Sequence, residues 1–285
     1  MRYEVQRPRA PLGDCVQHFW VLSDTPNHAR ERIVPSGTLE LVINLHAGEF
    51  RVLAAGTERR LPGTIVSGCY SRSFEIDTRG HAHVLGVHFK PGGAARLLGV
   101  PPGELADGHV GLDDLWGGSA NDLRERLCAL PTDRLRVGLL EQALMTRLPG
   151  DLAWRPAVKA ALIQLDQPGI EVGQVARSIG LSRRRFIQIF TEDVGMAPKR
   201  YAMVRRFQRA LAIALQGPSA SWARIAVDCG YFDQAHLCRD WQEIAGVSPA
   251  ALLRLRGIPA KDNHVAIADE QVKSIQDASS VPRVE

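Results

Sequence analysis

Arg184, Ile187 and Gln188 stand at i, i+3 and i+4, and Gln234, Ala235, Cys238 and Arg239 at i, i+1, i+4 and i+5, so each set falls on one face of a helix. These are residue types that read base edges. Arginine grips guanine O6 and N7 with two hydrogen bonds, glutamine does the same for adenine N6 and N7, and a small apolar group meets a thymine methyl. Around them Arg183, Arg185, Thr191, Lys199, Arg200 and Arg205 have the chemistry to hold phosphate. Each of these residues alone reads equally well as ordinary helix surface, and Ile187 as packing under a neighbour. The two faces together read as a duplex-DNA surface.

The elements that must position these faces occur twice. Val172, Val175, Ala176, Ile179 and Gly180 recur fifty residues later as Trp222, Ile225, Ala226, Cys229 and Gly230. Phe186, Phe190, Gly195, Pro198 and Tyr201 recur at fifty-one as Leu237, Trp241, Gly246, Pro249 and Leu252. The added residue falls in a turn, Gly180-Leu181-Ser182 in the first copy and Gly230-Tyr231-Phe232-Asp233 in the second, where length is cheap to vary. Each copy predicts helix, tight turn, helix. Val172, Val175, Ala176 and Ile179 form one apolar stripe. Gly180 and Gly230 end the first helices in the left-handed conformation. Ser182 and Asp233 cap the second helices, whose inward stripes are Phe186, Ile189, Phe190 and Val194, then Leu237, Trp241 and Ala245. A helix-turn-helix has this anatomy, and its second helix enters a major groove. Between the copies, Pro198 to Gln216 holds no internal Gly or Pro before Gly217-Pro218. Nineteen residues at about 1.5 Å make a rod of roughly 28 Å, long enough to set two recognition helices about one DNA turn, ~34 Å, apart.

These residues carry a family resemblance. The second copy, from Ile225-Ala226-Val227-Asp228-Cys229-Gly230 through Trp241 to Gly246-Val247-Ser248-Pro249, resembles the signature of AraC/XylS-type transcriptional regulators, over about Trp154 to Arg256. The resemblance implies a DNA-binding domain of two such units joined by a long helix, with Arg184, Ile187, Gln188, Gln234, Ala235, Cys238 and Arg239 facing bases. The chain departs from the pattern at Trp241, where Phe is usual, at Leu252-Leu253, where Tyr-Arg is typical, and at Ala197, where a Ser or Thr cap is common.

The 285 residues, 45% apolar and 23% charged, fit a soluble protein of two domains. No apolar run reaches the ~20 residues needed to cross a bilayer, and the first seven residues lack a signal-peptide core, so a cytoplasmic protein is expected. Cys15, Cys69, Cys128, Cys229 and Cys238 are odd in number and show no Cys-x-x-Cys spacing, which argues against a disulfide framework or a structural zinc. Charge is uneven. From Asp151 to Gly257 there are 15 Lys/Arg against 9 Asp/Glu, a net +6, whereas residues 1–150 have 17 of each and the remainder 3 against 5. The basic excess lies wholly in the duplicated region, as a polyanion-binding module requires.

The expected fold is α+β. Residues 1–150 are expected to form an effector or dimerisation domain, residues 151–257 an all-α tandem helix-turn-helix domain, and residues 258–285 a disordered tail with a short helical turn near Ile267 to Ile275. In the first domain Leu39 to Leu45, Phe50 to Ala54, Gly63 to Tyr70, Ser73 to Asp77 and Val84 to Phe89 read as strands of a small, cupin-like barrel or sandwich. Helices follow from residue 93: Ala94 to Leu98, Leu112 to Leu115, Asn121 to Cys128 and Asp133 to Leu148. The last either buries its stripe of Val137, Leu140, Leu144 and Leu148 in its own domain or pairs with a second protomer as a homodimer. The stretch from Arg32 to Gly93 also resembles an uncharacterised sensor-like domain found ahead of some of these regulators. The expected partners are double-stranded DNA and a small-molecule effector, with no membrane and no cofactor. The competing readings are a metal-dependent cupin-like enzyme built on His81, His83 and His88, and an architectural protein with no sequence preference. No acidic residue stands at ligand spacing beside those histidines, and no nucleophile elbow or phosphate-binding glycine loop is present.

Overall fold

The computed structural model describes residues 2–26, 28–54, 57–148, 155–216, 221–255 and 264–267. Ten strands come first: β1 (Arg2–Gln6), β2 (Val16–Ser23), β3 (Arg30–Ile33), β4 (Glu40–Asn44), β5 (Glu49–Ala54), β6 (Thr57–Pro62), β7 (Thr64–Ser67), β8 (Phe74–Asp77), β9 (His83–Phe89) and, after helix α1 (Ala95–Leu98), β10 (His109–Gly111). They build two antiparallel sheets, in the orders β1-β2-β9-β4-β7-β10 and β3-β8-β5-β6. This is a sandwich with no closed barrel among the described strands. Strands β2, β4 and β9 are covered on both faces. Phe19, Val21, Leu41, Ile43, Leu85 and Val87 pack outward under helices, while Trp20, Val84 and Ile65 face Phe50 of the second sheet. Strands buried on both sides read as continuous apolar runs. Gly86 is required where it stands, because a Cβ there would lie 2.1 Å from the Trp20 ring.

Helices α2 (Leu112–Trp116), α3 (Ser119–Ala129) and α4 (Asp133–Met145) cover the outer face of the first sheet. The stripe of α4, Val137, Leu140 and Leu144, is buried in this domain's own core, so that stripe is not a surface for a second protomer. The expected boundary at residues 150–151 lies outside the described residues.

The helical domain follows as α5 (Pro156–Leu165), α6 (Val172–Ser178), α7 (Arg183–Val194), α8 (Pro198–Leu215), α9 (Trp222–Asp228), α10 (Gln234–Ala245) and α11 (Pro249–Leu255). The connecting rod α8 has 18 residues, and Gly217-Pro218 lies outside the described residues. The chain then returns to the sandwich. β11 (His264–Ile267) pairs antiparallel with β3 as the edge of the second sheet, and Val265, Ala266 and Ile267 are buried. The expected disorder of the tail, and its helical turn near Ile267, are therefore corrected at these four residues. Three apolar side chains with one edge to pair are enough to dock a segment that composition alone marks as polar. Residues 268–285 lie outside the described residues.

The sandwich grips the helical domain on one side. A 3-10 turn at Pro102–Leu105 packs on α7, with Gly103 so close that a Cβ would lie 2.9 Å from the Thr191 carbonyl oxygen. Gly195 ends α7 at φ +86°, against the Pro102 carbonyl and Cys69. Ser73 N–H donates to the Ile244 carbonyl at 2.7 Å, and Gln208 of α8 donates to the Pro35 carbonyl.

Between the two sheets lies a cavity of about 90 Å³, lined mainly by apolar side chains. At one end Tyr70 Oη lies 2.5 Å from His109 Nδ1, and Ser67 Oγ lies 3.4 Å from its Nε2.

Two predictions follow from the packing. Gly103→Ala forces the turn off the Thr191 carbonyl and costs ~1–3 kcal/mol, typical of overpacking, which urea unfolding would register as a lower midpoint at unchanged slope. Burial, aided by the Arg59 guanidinium, pushes the His109 imidazole down to about 4. The unfolded chain takes up that proton near pH 6.5, so this site favours the folded state fully above pH 6.5 and loses that contribution as pH falls towards 4, about 3 kcal/mol in all. Urea midpoints of the natural chain should fall between pH 7.5 and 4.5 by more than those of His109→Gln; equal falls would refute the assignment.

Candidate functional site

The two recognition helices are built alike. Leu181 N–H donates to the Ala176 carbonyl at 3.0 Å and Gly180 N–H to Arg177 at 3.1 Å; Tyr231 to Ala226 and Gly230 to Val227 repeat this at 2.9 and 3.0 Å. These paired bonds close α6 and α9 on left-handed glycines, at φ +71° and +79°. Ser182 Oγ then accepts from Arg185 N–H at 3.3 Å, and Asp233 Oδ1 from His236 N–H at 2.7 Å, capping α7 and α10. Ala197 caps α8 with no side-chain bond. The inward stripes pack as expected, with Phe186, Phe190 and Tyr201 in edge-to-face contact, and Trp241 between Phe207 and Trp222.

Arg183, Arg184, Ile187 and Gln188 of α7 are exposed, as are Gln234, Ala235 and Arg239 of α10. Among the described residues Arg183, Arg184 and Arg239 have no carboxylate partner. Gln188 lies within a surface chain, accepting from Arg185 Nη1 at 3.0 Å and donating to Glu192 Oε1 at 3.0 Å. Cys238 is half-buried against the core, so its thiol shows only an edge to the groove side.

The residues assigned to phosphate divide. Arg183, Arg185 and Lys199 are exposed. Three others are engaged within the protein. Thr191 is half-buried against Gly103. Arg200 pairs with Glu243 and donates to the Ser71 carbonyl. Arg205 Nε meets Asp166 Oδ1 at 2.7 Å. Arg200 and Arg205 thus have partners within the protein, whereas the Thr191 side chain lies beside the Pro102–Leu105 turn. Arg209 likewise donates to the Asp166 carbonyl.

A structural contact that sequence reasoning missed joins the rod to the second recognition helix. Arg206 Nη2 meets Asp240 Oδ2 at 2.5 Å, and its guanidinium lies 4.3 Å from the centre of the Tyr231 ring. The signal was available: Asp240 lies on the inward spacing of Leu237, Trp241 and Ile244, where a carboxylate needs a cation. Phe232, the added residue of the second turn, is 90% exposed directly before the Asp233 cap.

The three histidines of the enzyme reading do not converge. His83 Nε2 is 2.8 Å from Asp133 Oδ1, His88 Nδ1 is 2.8 Å from Glu40 Oε1, and His81 stacks edge-on to Phe50. Among the described residues no group of three His, Cys, Asp or Glu side chains is placed to hold a metal ion.

Comparison with known proteins agrees with this anatomy. Residues 4–111 match a family described as a domain of unknown function (DUF6597), and residues 175–255 match a helix-turn-helix domain family. A relative in Haemophilus influenzae, described as an uncharacterized HTH-type transcriptional regulator, is 31% identical over 116 residues, 41% of this chain. The chain spans only 38% of that relative's length. Among solved structures, a Chromobacterium violaceum transcriptional regulator with an AraC-type DNA-binding domain is 23% identical, covering 37% of this chain and 96% of its own, at a TM-score of 0.33. ToxT from Vibrio cholerae is 10% identical, covering 89% of this chain and 98% of its own, at 0.46. The chain thus carries, in order, a region similar to a domain family of unknown function and a region similar to a helix-turn-helix domain family.

Proposed function

We propose that this regulator binds duplex DNA sequence-specifically, through α7 and α10 in neighbouring major grooves, and that the sandwich tunes that binding in response to a small molecule. The observation that carries the reading is the division of each recognition helix. Its carboxy-terminal turn is covered by the sandwich or the rod, while its amino-terminal turns hold exposed base-reading side chains beside an unshielded positive helix end. Arg184, Ile187 and Gln188 read one half of the site, and Gln234, Ala235 and Arg239, with the rim of Cys238, read the other. Arg183, Arg185 and Lys199 hold phosphate. Phe232 gains an apolar partner on a deoxyribose edge. Among the described residues no helix is long and apolar enough to cross a membrane, and a cytoplasmic location follows from the DNA target. The cavity between the sheets is the effector's place.

Selection of binding sites from random DNA should yield a defined sequence of two half-sites. Gel-shift affinity for it should fall about 100-fold between ~50 and ~200 mM salt if some four phosphates are neutralised. Arg239→Ala should cost ~1–3 kcal/mol on the selected site and relax its preference at one position, whereas Lys199→Ala should weaken all sequences alike. Binding independent of salt, or no sequence selected, would overturn the reading.

A further inference from the structure

The wall of the cavity contains one feature that an effector pocket does not need for its own integrity. Glu31 on β3 is a buried carboxylate, 5% exposed, facing the cavity. Its Oε1 lies 2.7 Å from His28 Nε2 and its Oε2 lies 2.5 Å from His264 Nδ1. His264 belongs to β11, the strand that follows the helical domain in sequence and pairs with β3. Burial alone would raise this carboxyl, but the two imidazoles outweigh it and hold Glu31 well below the usual carboxylate range. An ionised, desolvated carboxylate therefore stands in a wall that also presents the apolar side chains of Trp20, Phe50, Ile65, Ile33 and Val52.

The other charged residue of the lining is a second carboxylate, Glu40, and no Lys or Arg lines the cavity. A ligand anion would lose its hydration beside two carboxylates, with no Lys or Arg on the lining to pair with it and His264 already engaged by Glu31. An ammonium would find three donors' worth of use for Glu31's remaining lone pairs, and aromatic faces at Trp20 and Phe50 to sit against.

Successive strand residues point to opposite faces. His264 therefore looks into the cavity, while the next residue, Val265, joins the core that continues through Ile244 and Leu252 of α10 and α11. On β3 the same alternation sets Glu31 inward and Arg32 outward, where Arg32 Nη1 reaches the Ala245 carbonyl at 3.5 Å.

We infer that the cavity takes a small apolar amine, whose ammonium competes with His264 for Glu31 and thereby loosens the carboxy-terminal strand that ties the second helix-turn-helix unit to the sandwich. The proposal rests on the regulator reading for its consequence, and on the cavity alone for its ligand class.

The test uses the full chain and three probes of one shape: benzylamine, toluene and benzoate. Calorimetric titration should show benzylamine binding at least ten-fold tighter than toluene, with benzoate weakest. Hydrogen exchange at Val265 to Ile267 should speed up with benzylamine and not with toluene. Glu31→Gln should bring benzylamine to toluene's level. His264→Ala, which leaves the carboxylate in place, should tighten benzylamine several-fold by removing its competitor. Binding of none of the three, benzoate equal to or tighter than benzylamine, an amine preference that survives Glu31→Gln, or exchange at β11 that ignores benzylamine would each overturn the inference. Gel shifts on the ligand-free protein report separately on DNA binding, so either idea can fail while the other stands.

Discussion

The contact on which this architecture depends is the close approach of sandwich backbone to the carboxy-terminal turns of the two recognition helices. The last carbonyls of a helix have no partner within it and carry its negative end. At α10 these needs are met from the sandwich, by the Ser73 N–H on Ile244 and the Arg32 guanidinium on Ala245. At α7 the approach is steric: Gly103 and Gly195 allow the Pro102–Leu105 turn to lie flat against the helix end. The opposite end of each helix has orphan N–H groups, and there a single side chain, Ser182 or Asp233, takes one of them and leaves the rest to solvent or to phosphate. The helix polarity thus decides which end the protein keeps and which it offers.

Much of the helical domain was legible because its determinants are local. An apolar stripe at i, i+3, i+4 and i+7, a glycine at the helix end and a cap one or two residues later are each decided within a few residues, and the repeat stated them twice. The fate of the arginines was not legible in the same way. Arg200, Arg205 and Arg206 sit on a helix surface and look alike in sequence, yet their partners are Ser71 and Glu243, Asp166, and Asp240, and no local pattern distinguishes such partners from a phosphate. The sandwich was partly legible. β4, β5 and β9 stand out as apolar runs, whereas β6, Thr57–Pro62, is almost wholly exposed and has no apolar face to announce it. β11 was hidden by its surroundings, since four residues of strand in a polar tail vanish when composition is averaged over the tail.

Trp241 shows how the second unit tolerates its departure from the family pattern. The indole is fully buried between Phe207 and Trp222, at centroid distances of 4.8 and 5.5 Å, and its N–H has no hydrogen-bond partner among the described residues. An unpaired buried donor costs ~1–3 kcal/mol. Aromatic pairs return about 0.5–1.5 kcal/mol each beyond the area they bury, so two edge-to-face contacts offset most of that loss. The larger ring fills space that a phenylalanine would share with its neighbours.

The charge of the helical domain follows from its internal ion pairs. Its acids are largely consumed internally: Asp166 by Arg205, Glu192 and Asp193 by Arg155, Asp228 by Arg224, Asp240 by Arg206 and Glu243 by Arg200. Asp233 is occupied as a cap. Among the described residues, the exposed cations with no carboxylate partner include Lys159, Arg177 and Arg254 as well as Arg183 and Arg184 on α7, Lys199 at the start of α8 and Arg239 on α10, against one exposed unpaired acid, Glu171. Because screening acts over roughly 8–10 Å at physiological salt, a duplex responds to these outward charges and hardly to the internal pairs. Part of the basic excess read from the sequence thus lies on the outward turns of α7 and α10, while most of the arginines on the rod are spent on partners within the protein.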